Sequence, residues 1–330
     1  MKKSTVFTFI LFTFFVTSLI GQSEHKTQYD YIASGYYQLV YEAEIAHLEG
    51  NDSLAFEKLQ EAERRCPLIN RFTYNEIDLY CRLLMKNRQF DKAISYMDTL
   101  ANKYGKFSVN ALVEVGKDEN LSKSLLKEIP DFYLSIMPKL LKDSEIYYYS
   151  QERDSIVTIL YDIGASDQKV RKEMKYDASD TERLRETDLF NYNRLFQLID
   201  RFGFPNTKLY GCANVKMIER MDVVFMHIAD HKDIEDKMLQ FVRNGQCDPS
   251  LYGIVVDRKT MIKSVHKREK PKSIYGTATN GNDDEIIDIE HLDERRISIG
   301  MPTREMNNKR SELILQRYEQ QVNNYLSRKK

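Results

Sequence analysis

The sequence predicts an almost entirely helical protein. Apolar residues recur at helical spacing through most of the 330 residues, and Gly (13) and Pro (7) are few for that length. Capping and stop signals such as Gly50-Asn51-Asp52-Ser53 and Gly203-Phe204-Pro205 punctuate the pattern at helix-length intervals. A composition of 42% hydrophobic and 30% charged residues supports real cores and excludes a disordered polymer, a collagen-like chain or a small disulfide scaffold. With 49 basic against 50 acidic side chains, the formal charge of -1 gives no electrostatic footprint for nucleic acid or an anionic membrane surface.

Residues 1–22 read as a secretory signal peptide. Lys2 and Lys3 precede an apolar run from Val6 to Ile20, and Gly21, Gln22 and Ser23 follow. The run is short for a membrane span, and no Cys follows it to carry a lipid. The expected location is therefore periplasmic or extracellular, with no membrane span after cleavage; an uncleaved anchor is the alternative.

From 29 to 104 the punctuation repeats. Tyr37, Val40, Tyr41, Ile45 and Leu48 form one stripe, and Ser53 is placed to cap a helix carrying Leu54, Ala55, Leu59 and Ala62 before the stop at Cys66-Pro67. Ile77, Tyr80, Leu84 and Met85 form the next, and Asp91 is placed to cap a helix with Ala93, Ile94, Met97 and Leu100. Ala55 and Ala93 occupy the same place in each pair, 38 residues apart, where a small side chain admits close approach. The two pairs resemble tetratricopeptide-like repeats, which implies a protein or peptide partner. Two repeats are few for independent stability, so the connector 105–163 is expected to add helical packing surface. Its runs are Asn110–Val115, Leu121–Ile129 and Phe132–Leu141, opened or broken at Pro130 and Pro138; the Tyr147-Tyr148-Tyr149 run then leads into a helix over Glu152–Tyr161.

After Gly164 polar residues enter helical stretches, and 164–302 reads as a separate compact helical domain. Asp167-Gln168-x-x-Arg171 is expected to open a helix, and Asp188 and Asn191 to start another that stops at Gly203-Phe204-Pro205. A third runs from near Cys212 to His227 and His231, a fourth ends at Asn244-Gly245, and Leu251 to Arg258 begin a fifth. Strand is expected at most as a short hairpin around Ile274–Ile289. Residues 303–330 form a C-terminal helix.

The stretch from about Asp167 to Met301 resembles an uncharacterised bacterial domain family. The resemblance rests on Asp167, Gln168 and Arg171; Asp188 and Asn191; Gly203 to Pro205; His227 or His231; Tyr252, Asp257 and Arg258; Tyr275 to Thr277; and Asp293, Arg295, Arg296 and Gly300. Ser273 stands where the family usually has Gln, and Met301 where it has Leu. The resemblance implies no activity.

Read physically, Gln168, Arg171, Tyr252, Asp257, Arg258, Tyr275, Thr277, Arg295 and Arg296 are the candidate ligand-binding residues. Converging arginine forks suit a carboxylate or phosphate, so a small anionic ligand is expected, with Tyr252 and Tyr275 walling the space. The alternative is a network of internal ion pairs such as Arg171 with Asp188. His227 and His231, four apart, are the candidate general acid/base residues, but the Glu of a zinc protease motif is absent and no metal or cofactor is expected. Cys212 and Cys247 flank a predicted helix pair and are the disulfide candidates; Cys66 and Cys81 are expected to stay apart. Two function classes follow: an envelope binding or scaffold protein with an anion-binding pocket, or a hydrolase or transferase that joins a histidine to an arginine clamp.

Overall fold

A computed structural model describes residues 29–71, 73–174, 178–212, 215–277 and 282–327. The expected signal peptide lies outside them. The chain is 75% helical with 15 helices and no strand among the described residues, as the apolar spacing predicts. Within the region that allowed at most a hairpin, one parallel bridge joins Ser273 to Ile286.

Four helices build the N-terminal hairpins: α1 (Tyr36–Leu48), α2 (Asp52–Arg65), α3 (Glu76–Lys86) and α4 (Phe90–Tyr104), with α1 on α2, α3 on α4, and α2 against α3. Ala55 and Ala93 are fully buried in this packing. The cap of α2 is Asn51, whose side chain accepts from Leu54 N, and not Ser53. Helix α4 begins at Phe90, so Asp91 lies in its first turn and does not cap it. Next come α5 (Val109–Lys117), α6 (Glu119–Glu128), a π-helical turn at Phe132–Ile136, and α7 (Met137–Tyr148), which carries Pro138 in its first turn. There the missing amide hydrogen costs nothing.

Helix α8 (Gln151–Glu173) runs unbroken through Gly164. The domain boundary expected at 163/164 therefore falls inside a helix, and Asp167 and Arg171 sit near its end instead of opening one. Packing of α8 against α9 (Ala178–Phe202) and α11 (Val215–His227) outweighs the roughly 1 kcal/mol that a helical glycine costs. Helix α9 starts ten residues before Asp188 and stops at Gly203 as expected. The short α10 (Thr207–Tyr210) touches α4 and α8, while α12 (Ile234–Arg243) and α11 pack on α13 (Pro249–His266), followed by α14 (Leu292–Ser298).

The last helix, α15 (Arg304–Ser327), returns to α1. Arg310 forks onto Glu44 through two bonds of 2.6 and 2.9 Å. Helix α1 also reaches the C-terminal half, with Tyr37 Oη donating to Val242 O (2.7 Å) and Tyr41 Oη to Gly300 O (2.8 Å). One hydrophobic cluster extends from Tyr31 to Met301. The hairpins and the C-terminal helices thus share a core. No helix among the described residues is long and apolar enough to cross a membrane.

Candidate functional site

The predicted site residues separate into two groups. The first surrounds Asp167, whose side chain is fully buried near the end of α8. Its carboxylate accepts from Arg171 Nη1 (2.8 Å) and Gln168 Nε2 (2.7 Å), and lies 2.9 Å from His227 Nδ1 at the end of α11. Arg171 Nη2 bonds Asp188 on α9 at 2.8 Å. Burial raises the Asp188 carboxyl above its ordinary value, with Arg171 opposing. Arg171 therefore pairs with two carboxylates, and His227 lies within hydrogen-bond distance of one of them, which is the internal network weighed against a binding clamp.

His231 does not join His227. Its ring stacks on Tyr192 at 4.0 Å, and burial lowers its pKa. Tyr192 Oη donates to Asp233 (2.6 Å) and accepts from Lys237 Nζ (2.9 Å); Lys237, followed by Tyr192, holds Asp233 at about 2. No group of three or more potential ligands able to hold a metal occurs among the described residues.

The second group is built on Asp257, fully buried on α13. Its Oδ1 accepts from the backbone of Ile274 (2.6 Å) and Tyr275 (2.8 Å), and its Oδ2 from Thr277 N (2.8 Å) and Oγ1 (2.6 Å). The same loop is held from α14: Arg296 Nη1 donates to Tyr275 O (2.7 Å), and Arg295 Nε donates to Ile274 O (3.2 Å). Arg296 Nε reaches Pro302 O at 2.7 Å, and Tyr252 packs on Tyr275 with ring centres 6.2 Å apart. Arg258 is exposed.

These contacts overturn the expected anion pocket. Gln168, Arg171, Arg258 and Arg296 share no partner: Gln168 and Arg171 bond Asp167, Arg171 also Asp188, Arg296 the carbonyls of Tyr275 and Pro302, and Arg258 is exposed. Asp257, Tyr275, Thr277, Arg295 and Arg296 do come together, as a clamp on a loop. The disulfide expected between Cys212 and Cys247 is not formed either; all four cysteines are free. Cys212 Sγ instead accepts from Asn70 Nδ2 (3.4 Å), and buried Cys247 donates to Asp248 O (3.4 Å).

A large cleft lies elsewhere. A cleft of about 1430 Å³ opens between the hairpins (Tyr31, Leu68, Arg71, Tyr104) and the C-terminal helices (Phe204, Thr207). Its lining includes Pro67, Gly203 to Pro205, and Asn244-Gly245, three helix stops that the sequence marks separately. Arg71 is buried against it. The guanidinium pairs with Glu76, whose side chain is fully buried, bonds Tyr41 Oη (3.2 Å), and lies 3.6 Å from Asp248. The rings of Tyr37, Tyr41 and Tyr74 surround it at 4.3 to 5.3 Å. Burial alone would pull Arg71 down; Glu76, Tyr41 and Asp248 more than reverse this, so the guanidinium stays charged. Arg71 Nη2 and Asn70 Oδ1 nevertheless find no hydrogen-bond partner among the described residues. Each such buried atom costs about 1–3 kcal/mol. Sequence reasoning missed both residues; an Asn-Arg pair inside the apolar segment after Pro67 is the signal that marks them.

Compared with family models, curated proteins and solved structures, the chain matches none.

Proposed function

We propose that this is an exported cell-envelope protein, periplasmic or extracellular, that works by binding or scaffolding, with the cleft between hairpins and C-terminal helices as its binding site. The cleft carries this reading: it is large, and it draws its lining from both halves of the chain. In this reading 29–104 are tetratricopeptide-like repeats that hold a protein or peptide partner, and 167–301 represent the uncharacterised bacterial domain. The hydrolase or transferase alternative keeps the Asp167–His227 pair, but the arginine beside it is already engaged by Asp167 and Asp188.

Two experiments test the proposal. Expression with the native leader followed by fractionation should recover a shortened chain outside the cytoplasm; full-length cytoplasmic protein would refute export. Thr99→Trp places bulk at the cleft wall. Retention of the purified protein on isolated envelope material should be lost in this variant while its melting temperature holds. Equal retention of both proteins would refute the cleft as the binding site.

A further inference from the structure

We infer that α15 carries a second, outward face that pairs with the same face of another copy of this chain, the two helices running parallel about a two-fold axis. Its inward face is already engaged. Arg310 reaches Glu44 and Thr73 O, Arg317 reaches the carbonyls of His47 and Leu48 at the end of α1, and Met306 packs on the core. Residues 306, 310, 313 and 317 share that side by helical spacing.

A different stripe stands in water. Ile314, Leu315, Tyr318, Val322, Tyr325 and Leu326 are 37% to 65% exposed. Leu315, Tyr318, Val322 and Tyr325 follow one another at intervals of three, four and three residues. That is the spacing of a seam between two helices, narrower than the stripe of a helix lying on a broad core. At 3.6 residues per turn the seam lies about 130° round the helix from the face on α1. Each body therefore sits outside the pair and leaves room for the second helix.

The flanks decide what covers the seam. Arg310 and Arg317 turn to α1 and Lys309 pairs with Glu49, while Glu312 and Glu319 border the seam, so an anionic lipid surface is opposed. In a parallel pair the edge with Ile314 and Gln321 meets the edge with Glu319 and Leu326 of the second copy, and no like charges face each other. Antiparallel pairing would set the edge carrying Glu312 and Glu319 against itself.

The area is of the right size. The six side chains leave on the order of 600 Å² in water, and the polar rim of Ser311, Glu312, Glu319 and Gln321 brings each copy near the roughly 800 Å² that an ordinary interface buries per partner. With only about two heptads in the seam, dissociation in the micromolar range is expected. The pairing does not rest on the cleft, none of whose described lining residues belongs to α15.

Sedimentation equilibrium of the purified protein should show a reversible species of twice the mass of one chain. Tyr318→Glu, at an exposed position the single chain tolerates, should weaken pairing at least tenfold while the melting temperature of the diluted protein holds. Val322→Cys should cross-link to itself under mild oxidation, with wild type as the control, because equivalent seam positions meet in a parallel pair. A wild type that stays monomeric at every concentration overturns the inference, as does a dimer that Tyr318→Glu leaves unchanged. Leu315→Cys that cross-links to Tyr325→Cys but not to itself overturns the parallel arrangement. Monomeric protein that floats with phosphatidylglycerol vesicles through Tyr318 gives the face to a membrane and overturns the pairing.

Discussion

Replacing Asp257 with alanine should destabilise the protein far more than replacing its neighbour Arg258. The Asp257 carboxylate is fully buried and accepts four hydrogen bonds from the 274–277 loop, three of them from backbone N–H groups. A hydrogen bond to a charged group contributes about 1.5–3 kcal/mol, and an abandoned buried donor costs about 1–3 kcal/mol. The loop can open to water and recover part of that, and removing the carboxylate also removes its desolvation cost. About 3–4 kcal/mol should remain, which at roughly 2 °C per kcal/mol for a large chain lowers the melting temperature by about 6–8 °C. Asp257→Asn keeps an oxygen for Ile274 and Tyr275 but turns an amide toward Thr277 N–H, so about half the loss is expected. Arg258→Ala, at an exposed position, should stay within about 0.5 kcal/mol. Urea unfolding followed by circular dichroism measures all three. A loss below about 1 kcal/mol in Asp257→Ala, or a larger one in Arg258→Ala, would refute the assignment of Asp257 as the anchor of this loop.

Arg171→Ala should cost about 3 kcal/mol by stranding Asp167 and Asp188, without changing retention on envelope material; a ligand-specific defect in a stable variant would restore the clamp reading. His47 should make stability fall with acid. Burial lowers its pKa, with Asp52 opposing, while Arg82 and Arg317 approach its Nε2 at 3.2 and 3.4 Å. The unfolded chain therefore takes up the proton first: stability is full above about pH 6.5 and declines as pH drops toward the lower folded value. Urea midpoints measured across that window should show a shallower slope in His47→Gln. Gly300 sits at φ +85°, and a Cβ there would lie 2.5 Å from the buried Tyr37 ring, so Gly300→Ala should cost about 2–3 kcal/mol in the same unfolding assay.

Helices were legible because their signals are local. The stripe of Tyr37, Val40, Tyr41 and Ile45 is buried as its spacing predicts, and Gly203 and Gly245 close their helices at positive φ. Local signals misled where several candidates compete or packing overrides propensity. Asn51, Asp52 and Ser53 are all capping residues, and only the backbone path selects Asn51. Gly164 reads as a break, yet it lies buried within α8. Helix α9 starts well before Asp188, and Asp180 already lies in its first turn.

Asp167 and Arg171, four apart on one helix face, do pair, but Asp257 and Arg258 are adjacent and so point about 100° apart. Asp257 accordingly turns inward to a loop some twenty residues away, while Arg258 faces solvent. The sequence by itself determined the helical class and the order of the hairpins. Only the tertiary structure decided that the candidate site residues form two separate clusters. It alone brought the stops at Pro67, Gly203 and Asn244 together around Asn70 and Arg71. The physical reason is range: helix formation depends on contacts three and four residues apart, whereas a cleft is the space left between elements distant in the chain.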